Sequence, residues 1–71
     1  MNSLQIGDSV SWMSAAGYKE GKIKNVVLSK NANDKLIPWI DIEFRVAKDV
    51  LRSVRLCATE RHMEMMQVIK L

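Results

Sequence analysis

One cysteine, one proline, three glycines and four aromatic side chains (Trp12, Tyr18, Trp39, Phe44) are all that 71 residues contain of these types. A lone Cys57 excludes an intramolecular disulfide, the staple that secreted domains of this size commonly need, and fits an intracellular setting. Apolar runs are only a few residues long, which excludes a transmembrane helix or a signal-peptide core and makes the cytoplasm the expected location. Charge of one sign is also scarce: eleven Lys and Arg against eight Asp and Glu leave a net charge of +3. That excess permits contact with nucleic acid or an acidic partner without requiring either, and dedicated nucleic-acid binders of this length are commonly more basic. No catalytic, metal or nucleotide motif stands out.

What is present is the make-up of an ordinary globular domain, 48% hydrophobic and 27% charged, too apolar for a disordered tail. The length allows a single domain over residues 1–71, near the lower size limit, burying roughly 60% of the surface its unfolded chain exposes. Met1, Asn2 and Ser3 should fray, with Leu4 and Ile6 the first anchors to a core.

Val10 and Trp12 alternate with Ser9, Ser11 and Met13, the period of two that predicts a strand with one buried face. Ser14-Ala15-Ala16-Gly17 has the small, permissive residues of a turn, and Gly21 marks the end of that loop or a bulge opening the next strand. The second strand is expected from about Lys22 to Ser29, with its lysines outward. Val26-Val27-Leu28 breaks the alternation there and predicts a register irregularity or burial on both faces. The run Lys30-Asn31-Ala32-Asn33-Asp34-Lys35 reads as an exposed loop.

Ile40, Ile42, Phe44 and Val46 alternate with Asp41, Glu43 and Arg45, and Val50, Val54 and Leu56 continue in phase. This predicts a hairpin; a helix through residues 45–53 is the competing reading, because Val46 and Val50 are also four apart. Pro38 belongs at the strand's beginning or at a sheet edge. Thr59 can cap a helical turn led by Glu60, and a last strand is expected over Met66-Gln67-Val68-Ile69-Lys70.

The predicted fold is all-β: a five-stranded SH3-like barrel with one short helical turn before the last strand. Gly7-Asp8-x-Val10, the Gly21-x-Ile23 start of strand two and the closing Val68-Ile69 resemble the Tudor and KOW class of small barrels over most of the chain. Gly7-Asp8-Ser9-Val10, Ser14-Ala15-Ala16-Gly17-Tyr18 and Gly21-Lys22-Ile23 are also similar to the opening of the plasmid-type (type II) dihydrofolate reductases. That family's ligand-binding strand reads Val-Gln-Ile-Tyr, whereas the matching position here holds Val54-Arg55-Leu56-Cys57. Arg55 and Cys57 replace the polar groups that contact folate and nicotinamide, so the activity is not expected to carry over, and no cofactor is expected.

Parity assigns Trp12 and Phe44 to the core and points Trp39 outward with Asp41 and Glu43, while Tyr18 lies in the first loop. An exposed Trp39 and a loop Tyr18 suit stacking on a base, gripping a peptide or packing against another subunit. Lys22 and Lys24 project together, with Arg55 on an adjacent outer face, as a cluster that could neutralise phosphates; the plain alternative is a solvated strand surface, diluted by Glu20, Asp41 and Glu43. Cys57, Glu60, His62 and Glu64 match no established metal spacing, so no metal is expected, and Cys57 with His62 lacks an orienting third group for catalysis. Met63, Met65 and Met66 are expected to close the core.

The sequence thus predicts a non-catalytic binding module. Nucleic acid is expected at Lys22, Lys24 and Arg55 for phosphates, with Trp39 or Tyr18 for stacking. The alternative is a protein-interaction or self-assembling subunit, a homo-oligomer among the options, with Trp39 at the interface. A reductase-like enzyme is the third class.

Overall fold

Alternation at the chain's start does what it predicts: in strand β1, Ser9–Ser14, Val10 and Trp12 are buried while Ser9, Ser11 and Met13 sit on the other face, half-buried. A computed structural model describes residues 4–71, so the expected fraying of Met1, Asn2 and Ser3 lies outside the described residues. The Ser14 hydroxyl closes the first turn, donating to the Gly17 carbonyl at 2.7 Å and accepting from the Ala16 N–H at 3.2 Å. Gly17 has φ +109°, a conformation that favours glycine.

Strand β2 spans Gly17–Lys30 and so begins at Gly17 rather than Lys22. Tyr18, Lys19 and Glu20 pair with Met13, Trp12 and Ser11 in unbroken antiparallel register, which extends the strand back to the turn. Tyr18 is therefore a strand residue, not a loop residue. Gly21 lies within β2 opposite Val10, neither ending a loop nor opening a bulge. A Cβ on Gly21 would stand 2.5 Å from the Glu43 carbonyl oxygen, so the absent side chain is what lets the two backbones approach.

The irregularity expected at Val26-Val27-Leu28 is not there, where pairing runs unbroken from Asn25 to Lys30; it lies upstream, at Lys24. Register against strand β3, Leu36–Ala47, shifts between Ile23 and Asn25, leaving Lys24 as the extra residue of a bulge. Before the bulge Ile23 faces the core opposite Ile42; after it Val26 takes that side opposite Ile40. Burial on both faces does not follow, since Val26 and Leu28 are exposed: the β2–β3 ribbon runs on past the end of β1.

A turn at Lys48 and Asp49 leads into strand β4, Val50–Cys57, which settles residues 45–53 as a hairpin. Asp49 adopts φ +64°, a left-handed conformation more accessible to Asp than to most residues. Thr59 caps helix α1, Glu60–Met65, its hydroxyl accepting from the His62 N–H at 3.4 Å. Strand β5 is only Ile69–Lys70, because Met66 is held as the helix C-cap and Gln67 turns the chain at φ +52°.

All neighbours are antiparallel in the order β4-β3-β2-β1-β5. Among the described residues the fold is all-β with five strands and one short helix, but the sheet is not closed into the expected barrel. A two-residue β5 is too short to join the β1 side to the far edge, and β4 remains at the sheet margin. The molecule is correspondingly long, 41 × 22 × 20 Å.

Val10, Trp12, Ile23, Ile40, Ile42 and Leu56 form the core, with Leu4, Phe44, Val54, Ala58, Met66 and Val68 packed against it. Trp12 and Phe44 meet edge to face, centroids 5.6 Å apart at 77°, and Lys19 Nζ lies 5.1 Å from the Phe44 ring centre. Of the three methionines expected to close the core, Met66 does so while Met65 is exposed. No helix among the described residues is long and apolar enough to cross a membrane.

Candidate functional site

Across from the core, the central strands turn a polar face outward. Antiparallel register sets Lys22 opposite Glu43 on β2 and β3, Asp41 opposite Arg55 on β3 and β4, and Trp39 opposite Cys57. Residues directly opposite share a face, so three of the predicted site residues, Lys22, Arg55 and Trp39, are placed together with Asp41 and Glu43. Lys24, on the bulge, reaches the same surface. A shallow groove between the strands is lined by Lys24, Asn25, Asp41, Glu43, Ser53 and Arg55.

Charge in this groove is paired in place. The Arg55 guanidinium donates to both Asp41 carboxylate oxygens, Nε to Oδ1 at 2.7 Å and Nη2 to Oδ2 at 3.0 Å. Such a two-pronged bond fixes orientation as well as charge. It holds the Asp41 carboxyl below the usual carboxylate range, first through the hydrogen bond to Arg55, with burial opposing and the guanidinium charge adding to the effect. Arg55 is pushed above its ordinary value, first by the same hydrogen bond and then by the Asp41 charge. Lys24 Nζ lies 3.6 Å from Glu43 Oε1. Among the described residues Lys22 makes no ion pair within 4.0 Å, although Glu43 faces it across the ladder.

Trp39 lies half-buried, and its indole N–H donates to Ser29 Oγ at 2.9 Å, which holds the ring along β2. Tyr18 is 61% exposed and its hydroxyl donates to the Gln67 side-chain carbonyl. The two aromatics do not form one platform. Tyr18 sits at the β1–β2 turn and Trp39 pairs with Val27, nine residues further along β2, or roughly 30 Å of extended strand.

Cys57 is half-buried with its sulfur 3.5 Å from Thr59 Oγ1, and His62 belongs to α1. Among the described residues no three His, Cys, Asp or Glu side chains gather as a metal site would require.

In comparisons with protein-family models, curated proteins and solved structures, nothing matches this chain.

Two features escaped the sequence reading. Asp41 and Glu43 were visible as diluting charges, but only strand register shows that they grip Arg55 and Lys24 individually. Besides Ile6, Tyr18, Met65, Ile69 and Leu71, the exposed apolar side chains fall in two stretches: Val26, Leu28 and Leu36 on the β2–β3 ribbon, and Val46, Val50 and Leu51 at the β3–β4 turn. The broken alternation at Val26-Val27-Leu28 was the available signal for the first group; nothing local marks the second, because it lies where the β3–β4 hairpin runs on past the last β2–β3 pair, Lys22 with Glu43.

Proposed function

We propose that the chain is a small non-catalytic binding module whose partner is a protein, with an SH3-like ancestry of layout and an intracellular setting as parts of the same reading. The five strands with one helical turn ahead of the last support the layout. The observation that carries the choice of partner is the paired charge of the outer face. Lys22, Lys24 and Arg55 contribute three positive charges, and Asp41 and Glu43 remove two of them at contact distance. A phosphate approaching there would displace a fixed carboxylate and be repelled by it, which offsets the counterion release that drives nucleic-acid binding. Exposed Val and Leu side chains flanking a face of alternating charges suit a polypeptide surface better.

Nucleic-acid binding, with Lys22, Lys24 and Arg55 on phosphates and Trp39 or Tyr18 stacking, is the competing reading. The test is a titration of isotope-labelled protein with short single- and double-stranded DNA and RNA, followed by amide NMR at low and moderate salt. The Lys22, Lys24 and Trp39 amides are expected to stay in place once salt is moderate. Saturable shifts at those three residues would return the assignment to nucleic acid.

A further inference from the structure

The sheet ends differently on its two sides. At one margin β5 offers two residues, and Lys70 there reaches back to Asp8 at 3.6 Å, so little unpaired backbone is presented. At the other, β4 has eight residues and no proline or lysine, with Arg52 and Arg55 its only charges, and its pairing with β3 runs without a shift from Leu51 to Cys57. Sheet proteins commonly blunt or cover such an edge, and a barrel removes it. Here nothing among the described residues pairs with it.

We propose that β4 of a second copy occupies this edge, in an antiparallel β4–β4 pair that joins two five-stranded sheets about a two-fold axis; the inference rests on reading the chain as a protein-binding module. Symmetry makes the claim specific. The axis of an antiparallel pair stands normal to the sheet, so each residue faces one on the same side and the axis passes through a single position of β4. An axis at Arg52 or Arg55 would oppose like charges directly. Ser53 and Val54 are the remaining central positions, and with the axis at either of them all but one residue of β4 finds a partner. Arg55 is tied to Asp41 on its own sheet, which fixes where its guanidinium stands beside the seam.

Apolar surface agrees with this occupant. Val50 and Leu51, 43% and 54% exposed, line the edge itself, and the pair would lay Val50 against Leu56 of the other β4 with the axis at Ser53, or Leu51 against Cys57 with the axis at Val54.

Light scattering on the native chain tests this directly. Twice the 8.1 kDa chain mass is expected, and Ser53→Lys should weaken the dimer on the order of tenfold or more, since lysine there meets either its own copy or Arg55 of the other subunit. Ser53 is exposed, and an amide spectrum of the variant checks that its fold is kept. In a Cys57→Ser background, Ser53→Cys or Val54→Cys should yield a disulfide-linked dimer on oxidation, with Arg52→Cys as the control that does not. A native chain that stays monomeric, or a dimer indifferent to Ser53→Lys and unlinked by both cysteines, overturns the proposal. A monomer that also ignores oligonucleotides would remove the second copy while leaving the protein-binding reading in place; saturable oligonucleotide binding would remove that reading itself.

Discussion

Arg55 grips Asp41 from the neighbouring strand with two hydrogen bonds, and this pair makes the stability of the outer face depend on pH. Because Arg55 holds Asp41 below its ordinary value of 3.8, the native state binds a proton there less readily than the unfolded chain does. The resulting stabilisation is complete above the unfolded carboxyl's pKa and disappears as pH falls through the lower native one. Urea unfolding across the acidic range should show stability declining in that window, with the decline reduced in Asp41→Asn. An identical acid profile in the two proteins would mean that the bond contributes nothing in solution. As both side chains reach solvent, raising the salt concentration should shrink the effect.

Gly21 and Gly17 should respond to alanine for different reasons. At Gly21 the new methyl group meets the Glu43 carbonyl oxygen at 2.5 Å and Ile42 Cγ2 at 2.7 Å, so a backbone strand must move. At Gly17 nothing lies within 4 Å, and only the φ of +109° resists a side chain. Gly21→Ala is expected to cost about 1–3 kcal/mol or more by overpacking, and Gly17→Ala about 1–2 kcal/mol of backbone strain. Denaturant midpoints check the sizes. The sharper difference is in the amide spectrum, where Gly21→Ala should move signals on β3 and Gly17→Ala only those at the first turn.

Much of the fold was legible because single strands advertise themselves. Alternation in Val10 and Trp12, and again from Ile40 to Phe44, names both the strand and its buried face, and Thr59 ahead of Glu60 names a helix start. Closure was not legible, because it depends on how many residues β5 retains once Met66 has been drawn into the helix cap, and no local pattern decides that competition. The site was half visible for a related reason. Lys22, Lys24, Trp39 and Arg55 can be assigned to an outer face by parity, but which acid meets which base is set by inter-strand register, and the bulge at Lys24 shifts that register by one.

Because the bulge exchanges the faces of β2, Ile23 and Leu28 can be compared across it. Ile23 is fully buried opposite Ile42, whereas Leu28 is 63% exposed opposite Pro38. Ile23→Ala should therefore cost about 2–5 kcal/mol, while Leu28→Ala should stay within about 0.5 kcal/mol. Thermal or urea melts of both variants decide it. A large loss at Leu28 would show that the ribbon's apolar side chains are covered in solution, which a second copy lying over that face rather than at the β4 edge would also produce.

The paired charges of the outer face also predict a gain of binding. If Asp41 and Glu43 are what keep Arg55 and Lys24 from phosphate, then Asp41→Asn with Glu43→Gln removes two negative charges and releases both cations beside Lys22. The double variant's formal charge rises from +3 to +5, from two neutralised acids added to the native balance. Three free cations engaging phosphate should then give an affinity for duplex DNA that falls with salt at a logarithmic slope of about −2.7, nine-tenths per contact. Fluorescence anisotropy with a labelled duplex measures it. Tight binding by the native chain with that same slope would show that the carboxylates do not screen the face, and no binding by the double variant would place the barrier to phosphate in the shape of the groove rather than in its charge.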